Sequence, residues 1–197
     1  MAHRAISSIA SRRGTVEVHK PDYSLERVVI ARGLGPVAGV DEAGRGPLAG
    51  PVVAAAVILH DGAVPGGIDD SKKLSASERE RLFALLQATA TISVAIADVD
   101  RIDRDNILQA TLWAMAEALQ TLVPAPEVAL IDGNCSPSGC DCFCRPIVKG
   151  DTLSLSIAAA SIAAKVVRDQ IMMQLAEEFP GYGWERNKGY GTKEHMA

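Results

Sequence analysis

Aromatic side chains are scarce in this chain, 4% of 197 residues, although apolar residues reach 48%. A core must therefore be assembled mainly from Ala, Val, Leu and Ile. Long hydrophobic runs are missing as well: the longest, Val52 to Leu59, is strand-sized and far short of the ~18 residues a membrane span needs. The first residues, Met1 to about Arg13, hold no apolar stretch of roughly 7–15 residues and do not read as a secretory signal. A cytoplasmic protein with no membrane contact is expected. Cysteine is absent outside one loop, where Cys135, Cys140, Cys142 and Cys144 sit among Gly, Pro and Ser without the paired CxxC spacing of a zinc module. These thiols read as reduced residues of a surface loop, with a zinc site or a disulfide as the alternatives. No internal repeat or low-complexity tract is found.

Excess positive charge is lacking too. The formal net charge is −4, which at first sight argues against nucleic acid, because phosphate binding rests on clustered Lys and Arg. The average hides an asymmetry: residues 1–33 carry Arg4, Arg12, Arg13, Lys20, Arg27 and Arg32 against Glu17, Asp22 and Glu26, leaving −7 for the rest. If some of those acids coordinate divalent cations, the working surface is far less negative than the count.

What is present is an alternation of hydrophobic periods. Segments 36–41 and 51–59 read as strands joined by a glycine-rich turn, and 91–97 as a third strand completing a meander. Ser77 is expected to cap a helix over 78–88, with Glu80 closing a capping box. A longer helix is expected from Asp103 or Asp105 to about Leu122, with Ile107, Leu108, Thr111, Leu112, Met115 and Leu119 on one face. Segment 128–132 reads as a buried strand, 145–148 as a short one, and 155–179 as a long Ala-rich helix. The order points to an α/β fold, a mixed central sheet flanked by helices. After Pro180 the glycines and Tyr182, Trp184, Lys188 and Tyr190 read as a loop.

Within that frame, Asp41, Glu42, Asp132 and Asp151 each end or follow an apolar run beside glycine. Mg²⁺ and Mn²⁺ prefer oxygen donors and keep several waters, so a few carboxylates plus substrate phosphate oxygens complete their shells. Four carboxylates suit a pair of ions, and two ions clamp the attacking and leaving oxygens of a displacement at phosphorus. Phosphodiester hydrolysis is the natural reaction. Gly44-Arg45-Gly46-Pro47 lets the backbone approach a ligand closely with its N–H groups free to donate. The glycines of Gly33-Leu34-Gly35 precede a strand, where a dinucleotide fingerprint must follow one, so that class is excluded.

The chain resembles ribonuclease HII. The resemblance is carried by the segment from Gly39-Val40-Asp41-Glu42 through Gly50-Pro51-Val52, by Asp70-Ser71-Lys72-Lys73-Leu74, Ile131-Asp132-Gly133-Asn134 and Lys149-Gly150-Asp151, by the segment from Ile157 to Asp169, and by Asn187-Lys188-Gly189-Tyr190-Gly191-Thr192. The resemblance implies an RNase H-like fold and endonucleolytic cleavage of RNA in RNA–DNA hybrids and of ribonucleotides embedded in duplex DNA. Cleavage would fall 5′ of the ribonucleotide and leave 3′-hydroxyl and 5′-phosphate ends. Asp41, Glu42, Asp132 and Asp151 would be the catalytic, metal-binding quartet, with Asp169 the competitor for the fourth place. Gly44, Arg45 and Gly46 would sense the 2′-hydroxyl that separates RNA from DNA, and Tyr190 would pack on the neighbouring deoxyribose. Lys72, Lys73 and Lys188 would touch substrate, while Lys165 suits an i,i+4 pair with Asp169, Ser161 suits close helix packing, and His195 is a lone histidine near the site.

The expected division is a basic extension over 1–33, disordered or weakly touching DNA, a catalytic domain over 34–180, and a substrate-contacting tail over 181–197 that reads as truncated before a further family helix. A monomer is expected. The rival functions are a structure-selective DNA nuclease of the same fold, which needs no 2′-hydroxyl sensor, and a noncatalytic nucleic-acid-binding module.

Overall fold

A computed structural model describes residues 20–193, 195 and 196. Most of the expected extension, including Arg4, Arg12 and Arg13, lies outside the described residues. Five strands form one mixed sheet: β1 (Val37–Ala43), β2 (Val52–Leu59), β3 (Ala90–Ala97), β4 (Val128–Asp132) and β5 (Phe143–Ile147), in the order β3-β2-β1-β4-β5. The first three make the antiparallel meander, and β4 then lies parallel to β1 with β5 parallel to β4.

Period-two alternation divides the sheet between two cores. Ala38, Val40, Val52, Ala54, Ala56, Ala129 and Ile131 face α4 (Ile107–Gln120). Val53, Ala55 and Val57 face α5 (Leu155–Glu178) and α2 (Ala76–Thr89). Fully buried alanines at 54, 55 and 56 and at 158, 159 and 160 let helix and sheet approach closely. Gly39 marks the tightest point, since any Cβ there would collide with the backbone of Ser156 and Ile157 at the start of α5. Among the described residues no helix is long and apolar enough to cross a membrane.

The structure differs from the expectations at several element ends. The α2 capping box is Ser75 with Glu78, because Ser75 is the extended residue whose hydroxyl meets the Glu78 N–H, while Ser77 is already inside the helix. The long helix expected from Asp103 or Asp105 is two helices, α3 (Val99–Asp105) and α4. They break at Asn106, which has φ 67° and whose side-chain oxygen caps Leu108 and Gln109. The buried stripe of α4 is Ala110, Ala114 and Ala118 beside Thr111, Met115 and Leu119, since small residues fit against a sheet face that is itself Ala/Val-rich. The tail after Pro180 includes a short helix, α6 (Trp184–Asn187).

Part of the expected extension is built into the fold. Ser24–Ile30 forms a helix, α1, and its Glu26 is fully buried. One carboxylate oxygen of Glu26 accepts hydrogen bonds from the Ser154 hydroxyl (2.5 Å), the Ser156 hydroxyl (2.6 Å) and the Ser156 N–H (2.9 Å). Ser154 is the N-cap of α5. That acceptor oxygen also faces the positive end of the helix dipole. Replacing Glu26 with Ala orphans those donors and is expected to cost about 1–3 kcal/mol, read as a lower midpoint in denaturant with an unchanged slope.

Candidate active site

The pairing of β1 with β4 decides where the acids meet. Val40 pairs with Ile131 across the parallel pair, so Asp41 and Asp132 emerge together at the C-terminal ends of adjacent strands. That is where ligands gather in sheets with parallel strands. Asp41 lies on the α5 side, 4% exposed, with its carboxylate held by the Glu42 N–H (2.7 Å) and near the Ser161 hydroxyl. Glu42, next along the strand, approaches from the other face and accepts from Arg45 Nη1 at 3.2 Å. Neither acid ends β1, which runs on to Ala43 because Glu42 and Ala43 still pair with Ala54 and Val53.

Asp132 closes β4, and its Oδ1 accepts the Gly150 N–H at 2.7 Å. That bond fastens the turn carrying Asp151, a buried residue on a short 3₁₀ segment, Gly150–Thr152, that follows Lys149 at φ 57°. Asp151 thus sits on a turn and not at a strand end, since β5 stops at Ile147. Lys72 reaches it, with Nζ 3.1 Å from Oδ2.

Electrostatics register the crowding. Burial, then the charges of Glu42 and Asp132, push the Asp41 carboxyl well above the usual carboxylate range. Burial and then Asp151 raise Asp132, against the opposing Gly150 N–H. For Lys72 burial opposes the charge, but the bond to Asp151 and the charges of Asp151, Asp70 and Asp41 win and raise its pKa. Among the described residues no three His, Cys, Asp or Glu are already drawn in around a single metal-binding point. Asp41, Glu42 and Asp132 rim a space, and Asp151 lies beside Asp132 outside its lining.

That space is a cleft of about 300 Å³ lined by Asp41, Glu42, residues 43–46, Ser71, Lys72, Asp132, Ser161, Lys165 and Tyr190. Gly44 has φ +114°, and a side chain there would run into Arg168 and the Pro51 carbonyl. The Tyr190 ring comes within 4.0 Å of where a side chain on Gly46 would begin.

Other expected residues are placed elsewhere. Asp169 is bound to Lys165 (2.7 Å) and Arg79 (3.7 Å) in a neighbouring cleft of about 200 Å³. Lys73 pairs with Asp69 at 3.2 Å, and Lys188 Nζ bonds the Glu185 carbonyl at 2.7 Å on the Asp169 side. The thiols lie apart, free and half-buried, with Cys140, Cys142 and Cys144 packed against the α4 core. Cys142 is lowered to about 7 by the hydrogen bond from Cys144.

Two contributors carry no sequence signal beyond their place in the matched segments. Ser71 shares a buried 2.8 Å hydrogen bond with Ser161 beneath Asp41. Arg168, fully buried, donates to the carbonyls of Ala49, Pro51 and Lys188, each at 2.9 Å, and Leu48 N–H donates to Gly189 at 2.8 Å. The glycine turn and the Tyr190 loop are thereby fastened to one another.

The family model of ribonuclease HII matches residues 38–197. The chain belongs to the ribonuclease HII family. It is thereby a type 2 ribonuclease H, a nuclease of the hydrolase class. Ribonuclease HII of Ruegeria pomeroyi is 57% identical over 90% of this chain and 76% of its own length. That of Bradyrhizobium sp. strain BTAi1 is 52% identical over 95% of this chain, which spans 64% of that relative. The ribonuclease H2 structure from Pyrococcus horikoshii superposes with a TM-score of 0.71 at 28% identity, covering 81% of this chain and 82% of that one. The RNase H-like fold expected from the sequence is the fold found.

The raised Asp41 value fixes the sign of a pH effect. Its contribution to stability is present below the unfolded carboxylate value and is lost as pH rises through the higher folded one. In chelator, the melting temperature is expected to fall as pH climbs from 4 toward 8, and Asp41→Asn to flatten that fall. At pH 8 the variant is expected to melt about 2–4 °C above the parent, the effect of about 1 kcal/mol in a domain of this size. Calorimetry across that range checks both.

Proposed function

We propose that this chain hydrolyses the RNA strand of RNA–DNA hybrids and incises duplex DNA on the 5′ side of embedded ribonucleotides, leaving 3′-hydroxyl and 5′-phosphate ends. The observation that carries this reading is the meeting in one cleft of Asp41, Glu42 and Asp132 with the Gly44–Gly46 backbone and Tyr190. We take the protein to be a cytoplasmic monomer.

The donor set fits Mg²⁺ or Mn²⁺, both hard cations that favour carboxylate oxygen. Asp41 and Asp132 are raised by burial and by neighbouring carboxylates, a repulsion that positive charge would relieve, and the Lys72 ammonium already lies against Asp151. Asp41, Glu42, Asp132 and Asp151 would hold the ions. Once bound, such ions supply Lewis acidity that activates water and offsets charge at the phosphorus.

The remaining work falls to the protein's own groups. Asp41 must give up its proton to act as a ligand, and the Glu42 N–H and the Ser161 hydroxyl favour the ionised form. The Gly44–Gly46 turn lines the cleft, and its backbone donors would suit a ribose 2′-hydroxyl, the group that DNA lacks. Arg45 is half-exposed and tied only to Glu42 among the described contacts, so it can exchange that partner for a phosphate. Tyr190 offers a flat face for the adjoining sugar. Lys72 and Lys165 bring positive charge to the same wall.

Incubation with a duplex carrying one ribonucleotide, and with its all-DNA counterpart, tests this. Cutting is expected in the first only, with Mg²⁺ or Mn²⁺ and not with chelator. Asp41→Asn is expected to lower the rate on the order of 10²–10³-fold, as deleting one charge-handling group at a reacting centre does. Cleavage of both duplexes would favour a structure-selective DNA nuclease, and binding without turnover a noncatalytic module.

A further inference from the structure

The Tyr190 ring lies near the Lys165 ammonium (5.4 Å) and the Arg168 guanidinium (5.9 Å), and its backbone carbonyl is the end point of a hydrogen-bond relay through His195. The Trp184 indole N–H points at His195 Nε2 (3.2 Å), and His195 Nδ1 lies 2.9 Å from the Tyr190 carbonyl oxygen. An indole nitrogen can only donate and a carbonyl can only accept. Both partners therefore demand the same ring: neutral, with the proton on Nδ1. An imidazolium, or the other tautomer, would set two N–H groups against one another at Trp184.

Trp184 is itself anchored. It stacks on Tyr182 with centroids 4.9 Å apart and meets Phe179, just past the end of α5, edge-on at 6.3 Å. The relay thus runs from the end of α5 through Trp184 and His195 to the Tyr190 backbone. The histidine is also tethered locally, its backbone N–H donating to Thr192 Oγ1 (3.2 Å), while the Thr192 backbone N–H donates to the same Tyr190 carbonyl at 2.8 Å. Preceding residues are held separately, through Arg168 at Lys188 and Leu48 at Gly189.

We propose that His195 is a positioning residue for Tyr190: by donating from Nδ1 to the Tyr190 carbonyl and accepting from Trp184 at Nε2, it sets the ring over the glycine turn and so governs the grip on the sugar beside the ribonucleotide. The proposal rests on the reading of Tyr190 given above. It concerns substrate affinity and not the chemical step, because His195 is absent from the cleft lining and touches none of the four carboxylates in the described contacts.

Two side chains separate the halves of the relay. An Asn side chain places its amide N–H the same two bonds beyond Cβ as Nδ1, and so can keep the Tyr190 bond. Gln is longer, can reach toward Trp184, and lacks a donor at the Nδ1 position. On a duplex with a single ribonucleotide, His195→Ala and His195→Gln are expected to raise KM about tenfold, equal to about 1.4 kcal/mol for one lost hydrogen bond, with kcat nearly unchanged. His195→Asn, which keeps the Tyr190 bond and loses the one from Trp184, is expected to give a KM between those of the parent and His195→Ala. In the full-length ¹⁵N-labelled protein, long-range ¹H–¹⁵N correlation spectra, assigned by loss of the signal in His195→Asn, are expected to show the Nδ1–H tautomer.

An Nε2–H tautomer, an unchanged KM in His195→Ala, or equal KM values for the Asn and Ala variants would overturn the proposal. Tyr190→Ala serves as the comparison. If it raises KM while His195→Ala does not, the positioning role alone fails; if Tyr190→Ala itself leaves KM unchanged, both that role and the reading of Tyr190 fall.

Discussion

The close seating of α5 on β1 is the contact on which the site depends. Gly39 touches the backbone at Ser156 and Ile157, so the helix axis lies as near the strand as heavy atoms permit. From there the two elements advance together: two residues along a strand cover about 6.6 Å and five along a helix about 7.5 Å. Asp41 accordingly arrives beside Ser161 on the same face. Farther along the helix, Lys165 lines the cleft and Arg168 fastens its rim. The start of that helix is pinned by Ser154 and by the buried Glu26 from α1, so a residue far outside the cleft helps set the distance on which the cleft is built.

The same seating stores unfavourable electrostatics. Three of the four acids belong to the ends of two neighbouring central strands, and the fourth is tethered to them through the Gly150 N–H bond to Asp132. A buried carboxyl beside other carboxyls resists ionisation, and Asp41 and Asp132 do so. Lys72 offsets part of this at Asp151. A fold selected for stability alone would hardly place these groups together, and such conflicts concentrate where function requires them.

Much of this was legible in the sequence, for a definite reason. Strands buried on both faces show as short apolar runs, and β4 was bounded at 128–132 because Asp132 ends its run abruptly. Cap positions were harder. Ser77 is the cap expected from the sequence and Ser75 the cap found, and the backbone turn that distinguishes them is not written in either residue. Asn106 hides inside a continuous helical period, which is why one helix was expected where two occur. Glu26 and Arg168 were opaque for another reason: charged residues read as surface unless their partners are known, and here the partners are backbone and hydroxyl groups, most of them more than a hundred residues away. The sequence favours Asp151 over Asp169, which lies inside the long helix, and their neighbours differ as well, one facing Asp132 and the other held by Lys165 and Arg79.

Arg168 shows how a structure can tie two loops into one instrument. Its guanidinium is buried, and burial lowers its pKa. The cost is offset by three carbonyl acceptors, two on the segment after the glycine turn and one on the Tyr190 loop. Such a charge is tolerated only while all its acceptors stay in place, so displacing either loop would leave donors unmet and is opposed by the other. A glycine turn alone is too compliant to measure a sugar, because its residues have the widest conformational freedom. Coupled through a buried guanidinium to an aromatic loop, it becomes one wall of a rigid cleft. The proposed discrimination of a single hydroxyl would require that rigidity, since a site able to relax by an ångström would accept a sugar with or without it.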